Sequence, residues 1–263
     1  MTKKIKKITI FSGINKFGKK ENFEKIEIKQ GEVIAVVGPT GAGKSQFLYD
    51  LERLAQGDTK SKRKILLNNE TPNKEWKSNP RKKLVASLAQ SMNFLTDLPV
   101  NNFLKLHIQA RGEKPNLKLI KEVIIEANEI TGEPINSEMN LLDLSGGQSR
   151  ALMISDLANI SISPIILIDE IENAGIKKEK AIKILVKEGK IVLIATHDPS
   201  LALNTDKRLI IKNGGIVKVI KTTLMEKGTA HYLNWIENHI LEIREQIRQG
   251  KKIKDIKLFC EKI

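Results

Sequence analysis

The sequence predicts an α/β domain, on three observations. Short, wholly apolar runs of the kind that form buried strands recur at Val33–Val37, Ile165–Ile168 and Ile191–Ala195. Segments with the apolar spacing of helices lie between these runs. A glycine-rich loop stands directly between the first run and a helical pattern. The 263 residues suffice for one large domain with its own core, or for one domain with a small appendage.

Composition narrows the class of protein. With 40% hydrophobic and 29% charged residues, the chain is globular rather than disordered. A formal net charge of +14 could indicate a nucleic-acid or anionic-membrane partner. However, the lysines are spread along the whole chain, and only 4% of residues are aromatic and able to stack on bases. We therefore do not expect nucleic acid as a specific partner.

The cysteine count and the apolar runs predict where the chain works. The single cysteine, Cys260, cannot form an internal disulfide, so we expect a reducing, cytoplasmic compartment. The apolar stretch Ile8–Phe11 is too short for a signal peptide, and no apolar run approaches the ~18 residues that cross a bilayer. A role at a membrane would require a partner that supplies the span.

The N-terminal part reads as short strands at Lys7–Phe11, Phe23–Ile28 and Glu32–Val37, separated by turns. Phe17 lies between the first two strands. Its ring could stack on an adenine base or could be a core residue, and the sequence leaves both open.

The stretch Gly38-Pro39-Thr40-Gly41-Ala42-Gly43-Lys44-Ser45 matches the phosphate-binding pattern G-x-x-x-x-G-K-[ST]. Its glycines allow consecutive N–H groups to converge on phosphate oxygens. Lys44 supplies positive charge for the outer phosphates, and the Ser45 hydroxyl is a ligand for Mg²⁺. The helical pattern that starts near Gln46 points its positive end at the phosphates. A chance glycine-rich turn is the alternative, but a strand before and a helix after favour a nucleotide site.

Beyond the loop and its helix, a strand is predicted at Ile65–Leu67, a surface loop over Thr71–Lys83 and a buried strand at Leu84–Ala89. Gln90 follows at the carboxyl end of that strand. Its amide could reach a metal-bound water or a γ-phosphate, although most glutamines after strands are surface residues.

From Pro99 to about Asn140 the pattern is helical, as an insertion between strands. It ends at Leu144-Ser145-Gly146-Gly147-Gln148, before a further helix. Ser145 is a natural N-cap and the two glycines expose the first N–H groups, so this is a second candidate anion-binding site. The simpler alternative is a linker that only caps the helix.

Two later strands end in polar residues. The run Ile165–Ile168 ends in Asp169 and Glu170, where Asp169 could hold hydrated Mg²⁺ and Glu170 could position or deprotonate a water. The run Ile191–Ala195 leads to His197, which could hydrogen-bond a γ-phosphate. A solvated acid pair and a structural histidine are the alternatives. Three strands that deliver such groups to one edge favour function.

The last part predicts two antiparallel strands, Arg208–Lys212 and Ile216–Ile220, and a helix from about Ala230. Apolar residues in that helix are spaced 3-4-3-4. This spacing could form a dimer seam, but packing back onto the domain is the preferred interpretation.

In order and spacing, these motifs resemble the ATP-binding cassette (ABC) ATPase family over roughly residues 5 to 220. The resemblance implies a P-loop NTPase core with an N-terminal antiparallel β subdomain and an inserted helical subdomain at about 91–143. Residues 1–220 would form the ATPase domain and 221–263 a C-terminal helical extension. Phe17 falls where the family has an adenine-stacking aromatic. Asp169, Ser45 and Gln90 would serve the metal, and Glu170, His197 and Gln90 catalysis.

The resemblance also implies function: an Mg²⁺-dependent ATPase with ATP as its ligand. In the family two domains pair head to tail, so Ser145–Gln148 of one copy would close over the ATP of a second copy, identical or not. The chain would then be the ATP-binding subunit of a transporter, peripheral at the inner face of the membrane and serving a separate membrane permease. The alternative is a soluble ABC-type ATPase that remodels a protein or nucleic-acid partner.

Three departures from the family pattern bear on these expectations. After Glu170 the family usually has a small-Ala-Leu-Asp segment, whereas here Asn173-Ala174-Gly175-Ile176 puts isoleucine in place of the acid. Communication between paired sites could therefore differ. Gln46 stands where the family often has threonine, and Ser149 stands where glutamine is common. Neither change removes a catalytic group.

Overall fold

The structure, a computed structural model, describes residues 4–73, 75–79, 82–170, 176–187 and 189–253. Asn173–Gly175, Cys260 and the end of the expected C-terminal extension lie outside the described residues. The strands are β1 (Lys7–Phe11), β2 (Lys25–Lys29), β3 (Val33–Val37), β4 (Lys64–Leu67), β5 (Val85–Leu88), β6 (Ile165–Asp169), β7 (Ile191–Ala195), β8 (Lys207–Lys212) and β9 (Gly215–Lys221).

Helices alternate with these strands through most of the chain. A short 3-10 helix spans Leu141–Asp143, shortly before the fifth α-helix of the chain. The α-helices are α1 (Lys44–Glu52), α2 (Glu75–Ser78), α3 (Val100–Ala110), α4 (Leu117–Ile130), α5 (Gly146–Asn159), α6 (Lys178–Val186), α7 (Pro199–Leu203) and α8 (Leu224–Arg248).

The strands form a six-stranded sheet in the order β5-β6-β7-β3-β8-β9 and a three-stranded sheet in the order β2-β1-β4. In the larger sheet β5, β6, β7, β3 and β8 run parallel, and only β9 is antiparallel. The smaller sheet is antiparallel throughout. The predicted α/β class is confirmed. Because parallel strands end at the same edge, the residues that follow β3, β5, β6 and β7 meet there.

Alternation of side chains along the strands creates a core on each face of the large sheet. On one face, Ile166 and Ile168 of β6 pack with helices α3 to α6. On the other face, Ile165 and Leu167 pack with α1 and the three-stranded sheet. The sheet is therefore buried on both sides, as its wholly apolar strands predict.

The structure differs from the sequence prediction at several elements. The segment Thr71–Lys83 contains the short helix α2 as well as loop, and the strand expected at Phe23 begins at Lys25. Helices α6 and α7 were not predicted. In α6 several lysines dilute the apolar pattern, and α7 is a five-residue helix capped by Asp198 with proline at its first position.

Helix α8 begins at Leu224 rather than near Ala230. Its first part packs on α7, and Ala230 is buried. Towards its end Ile240, Leu241 and Ile247 are exposed, the last to 61%. Packing onto the domain therefore holds for the first part of the helix only. Among the helices of the described residues, none is both long enough and apolar enough to cross a membrane.

Candidate functional site

The loop between β3 and α1 is a tight cradle that glycine alone fits at two points. A Cβ added at Gly38 would lie 2.4 Å from the Ile211 carbonyl oxygen. Gly43 has φ +102°, and a Cβ there would lie 2.8 Å from Gly214 Cα. Pro39, Thr40 and Gly41 are exposed at the loop, whereas Ala42 is buried. The backbone shape needed for phosphate binding is thus built into the packing.

Lys44 points back into the loop. Its side chain is only 7% exposed, and its Nζ donates to the Gly38 carbonyl oxygen at 2.9 Å. Nζ also lies 2.7 Å from Nε2 of His197. The predicted phosphate-binding lysine and the predicted γ-phosphate sensor therefore meet, although 153 positions separate them in sequence.

Ser45 and Asp169 form an oxygen-rich pair at the same edge. The Ser45 hydroxyl donates to Asp169 Oδ2 at 3.1 Å. A hydroxyl and a carboxylate are ligands that suit Mg²⁺, which usually takes one or two protein oxygens together with substrate phosphates and water. Among the described residues no cluster of three His, Cys, Asp or Glu side chains could hold a metal by itself. The donor set therefore fits a metal shared with a bound nucleotide.

Glu170 is held in an uncommon backbone conformation next to His197. Its φ is +52°, in the left-handed region that costs a residue with a side chain about 1 kcal/mol or more. Its N–H donates to the Ala195 carbonyl oxygen at 3.0 Å, and its Oε1 lies 3.6 Å from His197 Nε2. Such conformations persist only where surrounding contacts maintain them, and they cluster at functional sites.

Arg150, which the sequence analysis did not single out, maintains this conformation. Its guanidinium donates to the carbonyl oxygens of Ala89 at 2.6 Å, Asp169 at 2.8 Å and Glu170 at 3.0 Å. The arginine lies in the first turns of α5, so it joins that helix to the ends of β5 and β6. The sequence signal was weak, because an arginine at that point is ordinary on a helix.

Gln90 and the Ser145–Gln148 turn lie beside Glu170. Gln90, Gly146, Arg150 and Glu170 line one cleft. Ser145 caps α5 by accepting from the Gln148 N–H at 3.3 Å, and the Gln148 side chain accepts from the Ser145 N–H at 2.9 Å. Gln148 also donates to the Pro134 carbonyl oxygen at 3.0 Å and is only 5% exposed. Its side chain thus stabilises the turn, while Ser145 and Gly146 face solvent.

Phe17 is 65% exposed, so the core interpretation of this residue is wrong. Its loop reaches the phosphate loop through the β8–β9 turn. The Lys16 N–H donates to the Asn213 carbonyl oxygen at 2.9 Å, and the Gly214 N–H donates to that of Ala42 at 2.7 Å. An exposed ring that is one loop away from the phosphate loop suits stacking on the base of a bound nucleotide.

Behind the phosphate loop lies a buried ion cluster that sequence analysis missed. Arg63 is fully buried and donates to Glu21 at 2.6 Å and 3.1 Å and to Asp50 at 2.7 Å. It also donates to the Gly214 carbonyl oxygen at 2.9 Å. On the other side of Asp50, the Gln46 amide donates to its carboxylate at 2.9 Å. The partners are far apart in sequence, so no local pattern signalled the cluster.

A second ion cluster adjoins His197. Burial alone would raise the pKa of Asp198, but hydrogen bonds from Lys178, Ser200 and the Leu201 N–H outweigh it and hold this pKa below its ordinary value. Burial alone would likewise lower the pKa of Lys178, but hydrogen bonds to Asp198 and Glu237 outweigh it and raise this pKa. Both groups are therefore charged at neutral pH.

Comparison with known proteins points to one family. The family model for ABC transporters matches residues 24–173. An uncharacterized ABC transporter ATP-binding protein of Methanocaldococcus jannaschii is 51% identical over 98% of this chain and 99% of that protein. An ABC transporter ATP-binding protein of Pyrococcus furiosus is 28% identical over 73% of this chain and 71% of that protein.

Solved structures give the same fold. An ATP-binding cassette solved as a dimer in a post-hydrolysis state, with ADP and Pi bound, has a TM-score of 0.60 at 21% identity. The match covers 82% of this chain and 99% of that one. The family model and the Methanocaldococcus jannaschii relative show that this chain belongs to the ABC transporter family, as an ATP-binding cassette ATPase.

Proposed function

We propose that this cassette hydrolyses ATP with the groups assembled at the edge of the large sheet. The contacts between Lys44 and His197 and between Ser45 and Asp169 support this most directly, because they bring groups from three strands together. Lys44 and the loop N–H groups bind the outer phosphates. Bound Mg²⁺ would neutralise phosphate charge, held by Ser45 and Asp169 with Gln90 as a further ligand.

Glu170 and His197 take the catalytic roles in this proposal. Glu170 orients the attacking water and accepts its proton, because its carboxylate lies beside His197 at the strand edge. His197 hydrogen-bonds the γ-phosphate. Phosphoryl transfer depends mainly on positioning and charge stabilisation, which a site fixed by Lys44 and Arg150 can supply.

Two cassettes would complete each site, paired head to tail. Ser145 and Gly146 face solvent at the start of α5, so the Ser145 hydroxyl and the Gly146 N–H can donate to phosphate on a second copy, while the Ser145 N–H stays bonded to Gln148. A group supplied in trans can raise the rate of phosphoryl transfer by ~10³ to 10⁵. The dimeric, ADP- and Pi-bound state of one structural relative is in keeping with such pairing. The partner could be an identical or a different cassette.

In this proposal, ATP hydrolysis by the two paired cassettes drives a separate membrane permease. The names of the two relatives, both ABC transporter ATP-binding proteins, support this. In this proposal residues 1–220 form the ATPase domain, the region of α3 and α4 within 91–143 docks the permease, and 221–263 form an extension. The cassette then lies at the inner face of the membrane. The rival is a soluble ATPase that remodels a partner, and purification at low salt without any membrane protein would favour it.

The change Glu170→Gln tests the catalytic assignment. The amide keeps the size of the side chain but cannot accept a proton, so we expect unchanged ATP affinity, loss of steady-state turnover and accumulation of an ATP-bound dimer. Phosphate release, equilibrium nucleotide binding and sedimentation would report the three properties. Glu113→Gln, at an exposed carboxylate away from the site, is the matched control. Full hydrolysis by the Glu170 variant would refute the role.

A further inference from the structure

Lys178, the first residue of α6, bridges the histidine turn and the C-terminal helix. Its side chain is 12% exposed. Its Nζ donates to the carboxylate of Asp198, which directly follows His197 in the chain, and to Glu237 Oε1 of α8 at 2.6 Å. A single ammonium thus joins a group next to the ATPase site to a helix that lies outside it.

The backbone around His197 is fixed on both sides. Thr196 is fully buried, and its N–H donates to the Val36 carbonyl oxygen of β3 at 3.2 Å. The Asp198 N–H donates to Thr196 Oγ1 at 2.9 Å. The Asp198 carboxylate then accepts from Ser200 and from the Leu201 N–H, which caps α7. Lys178 is the charged partner that holds this carboxylate from α6.

The residues directly before Lys178 fix the start of α6. Ile176, where the family usually has an acid, is buried, and the Lys177 N–H donates to the Ile130 carbonyl oxygen at 2.8 Å. The start of α6 is therefore held against α4. The Lys178 side chain, in the same turn, pairs with Glu237 of α8.

Helix α8 holds this turn through two neighbouring side chains. Glu237 pairs with Lys178, and Asn234, one turn earlier on the same face, donates to Glu179. Beyond this attachment the apolar side chains of Ile240 and Ile247 face solvent. A displacement of α8 would reach Asp198 through Lys178, because the Lys178 ammonium contacts both Glu237 and Asp198.

We infer that Lys178 is a positioning residue for His197, and that α8 sets the rate of ATP turnover through the Glu237–Lys178–Asp198 contacts. The inference rests on the proposed role of His197 at the γ-phosphate. Without the ammonium, the Asp198 carboxylate keeps its hydroxyl and N–H donors but loses its tie to α6. The imidazole then samples positions away from the phosphate, and small misplacements in a site can cost up to ~10²-fold in rate.

The test compares kcat, KM for ATP and equilibrium ATP affinity in the full chain. We expect Lys178→Met to lower kcat by about tenfold, with KM and affinity within about twofold of wild type, since the phosphate loop is untouched. Lys178→Arg should recover most of the rate because it can still pair with both carboxylates. Glu237→Gln should lower kcat less, because Asp198 retains its partner.

Glu226→Gln provides the matched control. Glu226 is also on α8 and pairs with Arg208 of β8, so Glu226→Gln removes an ion pair of the same helix but leaves the Glu237–Lys178–Asp198 contacts in place. We expect wild-type kcat for this variant. An equal loss of kcat in the Glu226 and Lys178 variants would refute the positioning role of Lys178. No recovery of kcat with Lys178→Arg would refute it as well.

His197→Ala, measured alongside, separates this inference from the proposed function. Wild-type turnover by His197→Ala would overturn both. If His197→Ala loses turnover but Lys178→Met keeps the wild-type kcat, only the positioning role is wrong. If both lose turnover, the double variant should lose no more than His197→Ala alone, because the two residues act through one group.

Discussion

The Lys44 ammonium lies 2.7 Å from Nε2 of His197. An ammonium can only donate hydrogen bonds, so in this contact Nε2 is the acceptor. Two groups that sequence analysis assigned to the outer phosphates are therefore within reach of the same ligand atom. A bound γ-phosphate would compete with His197 for the lysine.

Replacement of Lys44 should weaken nucleotide binding itself. Lys44→Met keeps most of the side-chain volume but removes the charge, and a hydrogen bond to a charged group contributes about 1.5–3 kcal/mol. We expect ATP affinity to fall by about 10- to 150-fold, measured by titration with a fluorescent ATP analogue. Lys60→Met, at an exposed lysine, should bind normally. Unchanged affinity in the Lys44 variant would contradict the phosphate-loop assignment.

Replacement of Phe17 should affect the base and not the phosphates. Stacking of an aromatic ring on a base contributes about 1–3 kcal/mol, so Phe17→Ala should weaken ATP binding by about 5- to 150-fold. Binding of inorganic triphosphate should stay unchanged, and Phe17→Trp should retain ATP affinity. Isothermal titration with both ligands distinguishes the cases. Equal losses for ATP and triphosphate would show that Phe17 supports the loop rather than the base.

Local patterns predicted the groups that the chain places at strand ends. The phosphate loop, Asp169, Glu170 and His197 each follow an apolar strand, and parallel strands must bring their carboxyl ends to one edge. Exposure of Phe17 could not be predicted, because an aromatic between two strands has no periodicity to place it. Its side chain became assignable only once its loop was seen against the β8–β9 turn.

Charges that meet over long sequence distances escaped prediction for a physical reason. Arg63 contacts Glu21 and Asp50 from separate elements, and Lys178 contacts Glu237 on α8. The chain has 45 Lys and Arg residues and 31 Asp and Glu residues, so the sequence alone offers many equivalent pairings. Only the packing of α1, α6 and α8 selects among them.

Loss of the buried arginine should destabilise the fold strongly. Arg63→Met leaves the carboxylates of Glu21 and Asp50 buried without their counter-ion, and breaking a buried pair in this way costs about 3–5 kcal/mol. Chemical denaturation measures the change in the free energy of unfolding. Lys82→Met, which removes an exposed pair with Glu75, is the control and should cost at most about 1 kcal/mol. Similar costs for the two variants would mean that the buried cluster contributes no more than a surface pair.

The Lys178–Asp198 pair should contribute stability over a defined pH range. The pKa of Asp198 is lowered from 3.8, so its contribution is present above that value and is lost as pH falls through the folded-state pKa. The pKa of Lys178 is raised from 10.5, so its contribution is present below that value and is lost as pH rises through the folded-state pKa. Glu237 is the other charged group that pairs with Lys178. The free-energy difference between wild type and Lys178→Met should therefore be constant between about pH 5 and pH 9 and shrink below about pH 4. Both side chains are 12% exposed, so the pair lies between a surface pair and a fully buried one, and we expect a plateau of about 1–3 kcal/mol, measured by urea denaturation across pH. Lys118→Met, at an exposed lysine on α4, should show no such plateau. A difference that persisted unchanged at pH 2 would show that Lys178 stabilises the fold by packing and not by its charge.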